Sequence, residues 1–241
     1  MLSCKLQSWN ALAPGLDNHS AWREWLSHPS PLPAELPKIP MKQIPPMLRR
    51  RFTELGKCAV GAALPILDEI ECIPGVFASR HGDTALTLSL LEGIAEQEPM
   101  SPTGFSLAVH NAVSGLLSIA RKDVSEVTAI AATENLIPLA ILEAVTQLQD
   151  REQVLCLIYD VPLPELYQPY SFSDSFPFAV AMVFSRCEGV NITLEPFDPE
   201  AKGLESDCSD SVRMIRFLSG LDDQVCFGDQ SGVGWRLQRN G

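Results

Sequence analysis

Two charge-free, strand-like segments and the apolar helix between them constrain this chain more than any other feature of its sequence. Residues 127–132 read VTAIAA and residues 153–159 read QVLCLIY, while residues 136–149 have the length and apolar content of a helix. Strands without charged residues are typical of sheets that are buried on both faces. The pattern predicts a strand–helix–strand unit in which residues 127–132 lie centrally in their sheet.

Other segments continue this alternation. Strands are predicted at residues 74–79, 178–185, 191–195 and 233–237, and helices at residues 20–27, 48–67, 84–97, 105–120 and 212–218. The short connection Cys187-Glu188-Gly189 predicts a hairpin between the strands at 178–185 and 191–195. Residues 196–211 are acidic and are predicted to be a loop. The order of elements predicts a layered α/β fold with a mixed sheet.

Composition disfavours several classes of protein. Of the 241 residues, 46% are hydrophobic, and the net charge of −12 disfavours a nucleic-acid partner, because phosphate contacts need a basic face. No apolar run is long enough to predict a membrane span, and the N-terminus does not resemble a secretory signal. The seven cysteines include no C-x-x-C pair. We therefore expect a cytoplasmic chain in a reducing setting, with Cys58 and Cys156 buried and with no disulfides or structural zinc.

The proline-rich stretch at residues 29–46 cannot be helical, because proline lacks the backbone N–H and fixes φ. It is too long for an ordinary connection and is expected to lie over a surface or a partner. Arg49, Arg50 and Arg51 follow it, near the start of the helix predicted at residues 48–67. Two interpretations stay open for this triplet, a solvated first turn or a patch that docks an anionic or acyl-carrier partner.

Common catalytic motifs are missing. The sequence has no glycine-rich dinucleotide loop, no phosphate loop, no H-E-x-x-H and no G-x-S-x-G. Two of the four histidines, His19 and His28, are expected at the surface. His81 is expected in a turn held by Asp83, with an acid–base or metal role as the alternative. His110 is expected inside a helix, in the core or an interface. For Asp160, at the end of a predicted strand, a site role and a structural role both stay open.

The junction Thr133-Glu134-Asn135 connects the strand at 127–132 to the helix that follows. Enzymes place nucleophiles at such junctions, because the helix N-terminus stabilises negative charge. Here the junction offers a carboxylate, Glu134, instead of a thiol or hydroxyl nucleophile. The alternative interpretation is that these residues cap the helix.

A set of residues in register resembles the N-terminal half of the β-ketoacyl synthases. The set comprises Ser101-Pro102, Val109-His110-Asn111, Gly115, Ala131-Ala132-Thr133-Glu134 and Glu143-Ala144. The register runs without a gap over residues 111–144 and is strongest over residues 75–185. In it, Glu134 takes the place of the nucleophilic cysteine, Thr133 that of the preceding alanine, and Ile137 falls where a glycine usually follows. The resemblance implies one thiolase-like α/β domain over residues 1–241, reduced to about one half, with a mixed sheet covered by helices.

Together with the N-terminal Trp-x-x-Trp and the arginine triplet, the resemblance is closest to the chain length factors of aryl polyene biosynthesis. These are the non-catalytic partners of type II ketosynthases. The family's catalytic histidines follow the nucleophile, whereas all four histidines here precede Glu134. The resemblance therefore implies no condensing activity, no cofactor and no metal. It implies a heterodimer with a full-length, cysteine-bearing β-ketoacyl synthase, and contact with an acyl carrier protein through that complex. A half-fold is expected to leave an apolar face uncovered for this partner.

The resemblance also implies a set of site residues. Candidates for the acyl-chain tunnel or the interface are Phe105, Ala108, His110, Asn111, Ser114, Gly115, Thr133, Glu134 and Asn135, and candidates for carrier docking are Arg49, Arg50 and Arg51. Two alternative functions stay open. One is an autonomous malonyl-thioester decarboxylase or hydrolase that uses Glu134 with His110 or His81. The other is a homodimer that binds acyl chains.

Overall fold

The computed structural model describes residues 1–171, 174–198, 208–228 and 232–240. The strands are β1 (Leu2–Leu12), β2 (Gly75–Ala78), β3 (Val127–Ile130), β4 (Gln153–Asp160), β5 (Phe178–Ser185), β6 (Val190–Phe197), β7 (Gln224–Gly228) and β8 (Gly234–Arg239). The helices are α1 (His19–Ser27), α2 (Pro46–Arg49), α3 (Glu54–Leu67), α4 (Thr84–Ala95), α5 (Pro102–Leu107), α6 (Ala112–Arg121), α7 (Leu136–Gln147) and α8 (Asp210–Leu218). The predicted helices at 20–27, 84–97, 136–149 and 212–218 are confirmed, with slightly different ends.

The strands form one mixed sheet in the order β3-β2-β4-β5-β1-β6-β8-β7. On one face, α1, α7 and α8 bury a core that includes Trp22, Ile141 and Phe217. On the other face, α3 and α6 bury a second core that includes Cys58 and Leu117. Helices thus cover both faces of the sheet. The expectation that a half-fold leaves an apolar face of the sheet uncovered is therefore wrong. Sequence analysis assigned no element to β1 or β7.

The strand β3 lies at the edge of the sheet, not at its centre as predicted. Within the described residues it pairs only with β2, in parallel. Side chains alternate along it between exposed and half-buried, with Val127 and Ala129 exposed. The absence of charge in this segment therefore does not result from burial within the chain.

The predicted hairpin between residues 178–185 and 191–195 does not form, because β1 lies between the two strands. β1 pairs antiparallel with β5, from Leu12 opposite Ala179, and with β6, from Leu2 opposite Leu194. The connection crosses over β1 at Gly189, whose φ is +117° and where a Cβ would stand 2.2 Å from the carbonyl oxygen of Leu6. The short connection is thus a crossing that requires glycine, because any side chain would collide with the β1 backbone.

Two of the predicted helices are interrupted. Residues 105–120 divide into α5 and α6, and His110 lies in the break instead of inside a helix. Residues 48–67 divide into α2 and α3, where Phe52 is buried and Thr53 caps α3 by accepting a hydrogen bond from Gly56 N. In each case a side chain in the break contacts the protein interior, Phe52 in one and His110 in the other.

The proline-rich stretch lies over the chain's own surface. Leu32 packs against the core under α1, while Leu36 and Ile39 pack against the core under α3. Ile39 comes so close to α3 that a Cβ on Gly61 would stand 2.8 Å from its Cγ2. Part of the acidic loop predicted at 196–211, residues 199–207, lies outside the described residues. Among the helices that the structure describes, none is long and apolar enough to cross a membrane.

Candidate functional site

The carboxyl ends of β2 and β4 meet in a hydrogen-bonded cluster around Asp160. Ser79 Oγ donates to Asp160 Oδ1 over 2.8 Å, and Arg80 N donates to the two carboxylate oxygens over 3.0 and 3.1 Å. Ser79 Oγ also accepts a hydrogen bond from Gly82 N over 2.9 Å. Because β2 and β4 are parallel neighbours, their ends lie side by side, and the turn after β2 is held by the last residue of β4.

The surroundings of Asp160 favour its neutral form. Burial raises the pKa of Asp160, and this effect outweighs the hydrogen bonds from Arg80 and Ser79 and the attraction of His81 and Arg80, which lower it. A cavity of about 40 Å³ adjoins the carboxylate, lined also by residues at the starts of α7 and α8. This volume is enough for a water molecule and too small for an acyl chain.

The start of α7 has a strained backbone. Asn135, directly before the helix, has φ +54° and is 6% exposed, and its Nδ2 lies 3.5 Å from the carbonyl oxygen of Val233. Thr133 and Glu134, before it, are exposed. No side chain of this junction caps α7 by a hydrogen bond, so the interpretation as a hydrogen-bonded cap is wrong. The left-handed Asn135 instead directs its amide to the carbonyl oxygen of Val233, the residue before β8. The junction presents a carboxylate to solvent, at the positive end of a helix.

The histidines have distinct settings. His110 is half-buried, and its Nε2 lies 2.9 Å from the carbonyl oxygen of Ser79. His81 Nε2 lies 3.4 Å from Ser171 Oγ, and the Asp83 carboxylate, expected to hold His81, accepts from Leu86 N as the cap of α4. His19 and His28 are exposed, as predicted. His81 thus belongs to the turn that Asp160 holds, and His110 contacts this turn at the carbonyl oxygen of Ser79.

Large exposed apolar side chains concentrate around α4 and α5. No residue of either helix is buried, although both are rich in apolar residues. Phe105 is 62% exposed, and Leu91 and Ile94 are each 52% exposed. Ile119 on α6 and Val127 on the edge strand are exposed as well. Exposed apolar surface of this extent is typical of protein–protein contact sites.

The tunnel and interface candidates do not all face one surface. Phe105, Asn111 and Gly115 are exposed, whereas Ala108 is half-buried. Ser114 is buried and donates from its Oγ to the carbonyl oxygen of Asn111 over 2.9 Å, so it faces the core.

Arg49 is the last residue of α2, and Arg50 and Arg51 lie between α2 and α3. Arg49 donates from Nε to the carbonyl oxygen of Ile44 over 2.8 Å, whereas Arg50 and Arg51 are exposed. The triplet therefore ends a short helix, and the interpretation as the first turn of a long helix is wrong. Arg51 lines a small cavity with Asp83 and His110, which places it beside the α4–α5 region.

Sequence reasoning missed the contact between Ser79 and Asp160, which are 81 positions apart. The available signal was that each residue ends a strand, but no pattern told which strands were neighbours. In the described part of the chain, no group of three His, Cys, Asp or Glu side chains is placed to hold a metal ion.

Comparison with known proteins gives one family match. A family model described as the N-terminal domain of beta-ketoacyl synthase matches residues 22–231. No curated protein matches the sequence.

Three solved structures are similar over nearly the whole chain. The ketosynthase ApeO in complex with its chain length factor ApeC, from Xenorhabdus doucetiae, matches with TM-score 0.82 and 24% identity, covering 99% of this chain and 100% of that chain. The ishigamide ketosynthase/chain length factor matches with TM-score 0.76 and 11% identity, covering 100% of both chains. The AntDE:AntF complex, a type II polyketide synthase acyl carrier protein with its ketosynthase bound to the hexaketide, matches with TM-score 0.66 and 14% identity, covering 99% of both chains. The fold is therefore thiolase-like, as the resemblance implied, in a half-size form with a mixed sheet covered by helices.

Proposed function

This chain belongs to the β-ketoacyl synthase N-terminal domain family, and we propose that it is a chain length factor in aryl polyene biosynthesis. In this role it pairs with a cysteine-bearing β-ketoacyl synthase and helps to shape the tunnel for the growing acyl chain. It forms no bond itself. Similarity to solved ketosynthase and chain length factor complexes supports the role.

The observation that carries the proposal is the chemistry at the start of α7. Glu134 stands where the family resemblance places the nucleophile, and a carboxylate cannot form the acyl thioester that a thiolate forms. The cavity of about 40 Å³ that the first residues of α7 line is too small for an acyl substrate. A chain with this site is suited to shaping a partner's tunnel and not to condensing substrates.

The pairing surface that we propose consists of α4, α5, the outer side of α6 and the edge strand β3. Its exposed apolar residues include Leu91, Ile94, Phe105 and Ile119. Apolar area of this kind favours association when a partner removes it from water. Phe105 and the region of His110, both on this surface, are the candidates for setting the depth of the tunnel.

Carrier docking is a second part of the proposal. Arg50 and Arg51 are exposed and positively charged on a chain whose net charge is −12. Such an isolated basic patch attracts an acidic partner, and we propose that acyl carrier protein binds it within the complex.

No observation specifically favours either alternative function. Glu134 is exposed, and His110 Nε2 is hydrogen-bonded to the carbonyl oxygen of Ser79.

The experiment that tests the function compares this chain alone with this chain co-expressed with a cysteine-bearing β-ketoacyl synthase from the same organism. We expect a one-to-one complex by size-exclusion chromatography with light scattering, and polyene production that requires both subunits. Glu134→Gln is expected to keep production near the wild-type level, because the carboxylate performs no chemistry. Replacement of the partner's nucleophilic cysteine is the matched control and should abolish production.

Four results would contradict the proposal. A monomer that ignores the ketosynthase would exclude the pairing role. A stable homodimer would favour the acyl-binding alternative. Loss of production in Glu134→Gln as large as in the cysteine control, or turnover of malonyl-carrier protein by the chain alone, would favour an enzyme that uses Glu134.

A further inference from the structure

The α4–α5 segment, residues 84–107, has little to hold it against the rest of the protein. Neither helix contributes a buried residue. Leu107 packs partly against the core under α3, and Leu90 contacts Gly104 within the segment itself. The position of this segment must therefore depend on the few contacts at its two ends.

A hydrogen bond joins this region to the turn after β2. It runs from His110 Nε2 to the carbonyl oxygen of Ser79, over 2.9 Å, and connects residues 31 positions apart, whereas the hydrogen bonds of residues 84–87 to Gly82 and Asp83 are local. Because the acceptor is a carbonyl, Nε2 must carry the proton. The other ring nitrogen, Nδ1, is buried and has no hydrogen-bond partner among those residues. The ring is thus directed at a single acceptor.

The acceptor residue, Ser79, is itself held by hydrogen bonds to Asp160 and Gly82. Ser79 is fully buried, its Oγ donates to Asp160 and accepts from Gly82 N, and Arg80 N donates to the same carboxylate. Gly82 has φ +63°, and a Cβ there would stand 3.6 Å from His110 Cδ2. Asp160 accepts hydrogen bonds from two consecutive residues, Ser79 and Arg80, and this fixes the turn to the end of β4.

We propose that Asp160 and Ser79 are positioning residues that act through His110 to fix the α4–α5 segment and thereby the length of the product. The proposal rests on the proposed function, since the segment carries Phe105. Asp160 acts at a distance, because its hydrogen bonds set the place of the Ser79 carbonyl. That carbonyl sets the place of His110, and His110 lies in the break between α5 and α6.

The first test measures hydrogen–deuterium exchange of residues 84–107 in the full chain, alone and in the ketosynthase complex. Asp160→Asn puts an amide N–H donor against Arg80 N, Ser79→Ala removes the hydroxyl, and His110→Leu removes the donor. We expect about tenfold faster exchange in each, because one hydrogen bond that fixes the turn or the segment is lost. If Asp160→Asn does not fold, Ser79→Ala and His110→Leu still test the proposal.

Two controls separate positioning from general damage. His110→Gln keeps an N–H donor near the place of Nε2 and should exchange like the wild type. Asp123→Asn alters another buried carboxylate that accepts backbone N–H groups, from Ile73 and Ser125, at the opposite end of the sheet. It should leave exchange of residues 84–107 unchanged.

The second test measures the distribution of product lengths made by the complex. The three disrupting variants should shift it away from the dominant wild-type length, and Asp123→Asn should not. Unchanged exchange overturns the proposal, and so does faster exchange with unchanged product lengths, or an equal effect in Asp123→Asn. If the wild-type chain forms no complex, the proposed function fails, and exchange in the chain alone then decides whether the three residues fix the segment.

Discussion

At the scale of single residues, Asp123 and Asp160 show how surroundings set the pKa of a carboxyl group. Both accept hydrogen bonds from backbone N–H groups. Burial is the largest influence on each and raises the pKa. For Asp160 it prevails, whereas for Asp123 the bonds from Ser125 and Ile73 together outweigh it, and the pKa is lowered. Ionised Asp123 thus stabilises the fold, whereas ionisation of Asp160 costs stability.

This difference predicts how stability depends on pH. The stabilisation by Asp123 is complete above its unfolded pKa and is lost as pH falls through its lower folded pKa. Asp123→Asn should therefore lower the free energy of unfolding by about 1–3 kcal/mol at pH 7, and by less below about pH 4. Denaturant unfolding at several pH values measures this. Glu35→Gln, at an exposed site, is the control. The prediction is contradicted if the difference in free energy of unfolding between the wild type and Asp123→Asn stays constant down to pH 3.

At the scale of elements, the proline-rich stretch depends on a close approach to α3. A Cβ on Gly61 would stand 2.7 Å from Leu12 Cδ2 and 2.8 Å from Ile39 Cγ2. Gly115, on α6, has no atom within 4 Å of the same position. The two helical glycines therefore differ in what a methyl group would meet, although their intrinsic cost to a helix is similar.

Alanine at these two glycines should act in opposite directions. Gly115→Ala should raise the free energy of unfolding by about 0.5–1 kcal/mol, through improved helix propensity. Gly61→Ala should lower it by about 1–3 kcal/mol relative to Gly115→Ala, because Leu12 and Ile39 must shift. Denaturant unfolding of the isolated chain measures both. Equal effects would mean that the contact of Ile39 with α3 does not hold the stretch in place.

At the scale of the whole molecule, both faces of the sheet are covered, and exposed apolar surface is concentrated around α4, α5 and the β3 edge. The edge also leaves backbone groups of β3 without a second strand in the described chain. Such an edge is a template for pairing with another chain. Its lack of charge, which suggested a central strand, is consistent with an edge that is covered after assembly.

Charge placed on this surface should weaken the complex. Leu91→Glu and Ile94→Glu should each reduce affinity for the ketosynthase by at least about tenfold, because a buried carboxylate loses its hydration. Leu166→Glu is the matched control, since Leu166 is 59% exposed in the connection between β4 and β5. Titration by light scattering or calorimetry measures the affinities. If Leu91→Glu and Ile94→Glu reduce the affinity no more than Leu166→Glu does, the interface lies elsewhere.

The sequence by itself determined the layered α/β class, most helices, and the absence of a thiol nucleophile at Glu134. These follow from local patterns, since apolar spacing and residue identity lie within short windows. The family resemblance added the thiolase-like fold, because its residues fall in register over one continuous segment.

Only the tertiary structure decided which strands are neighbours. It placed β1 between β5 and β6 and put β3 at the edge, since pairing depends on contacts between segments far apart in sequence. It also brought Asp160 to Ser79, and Ser79 to His110, across 81 and 31 positions. A hydrogen bond between distant residues leaves no local pattern, because each partner satisfies its own strand or helix equally well without it.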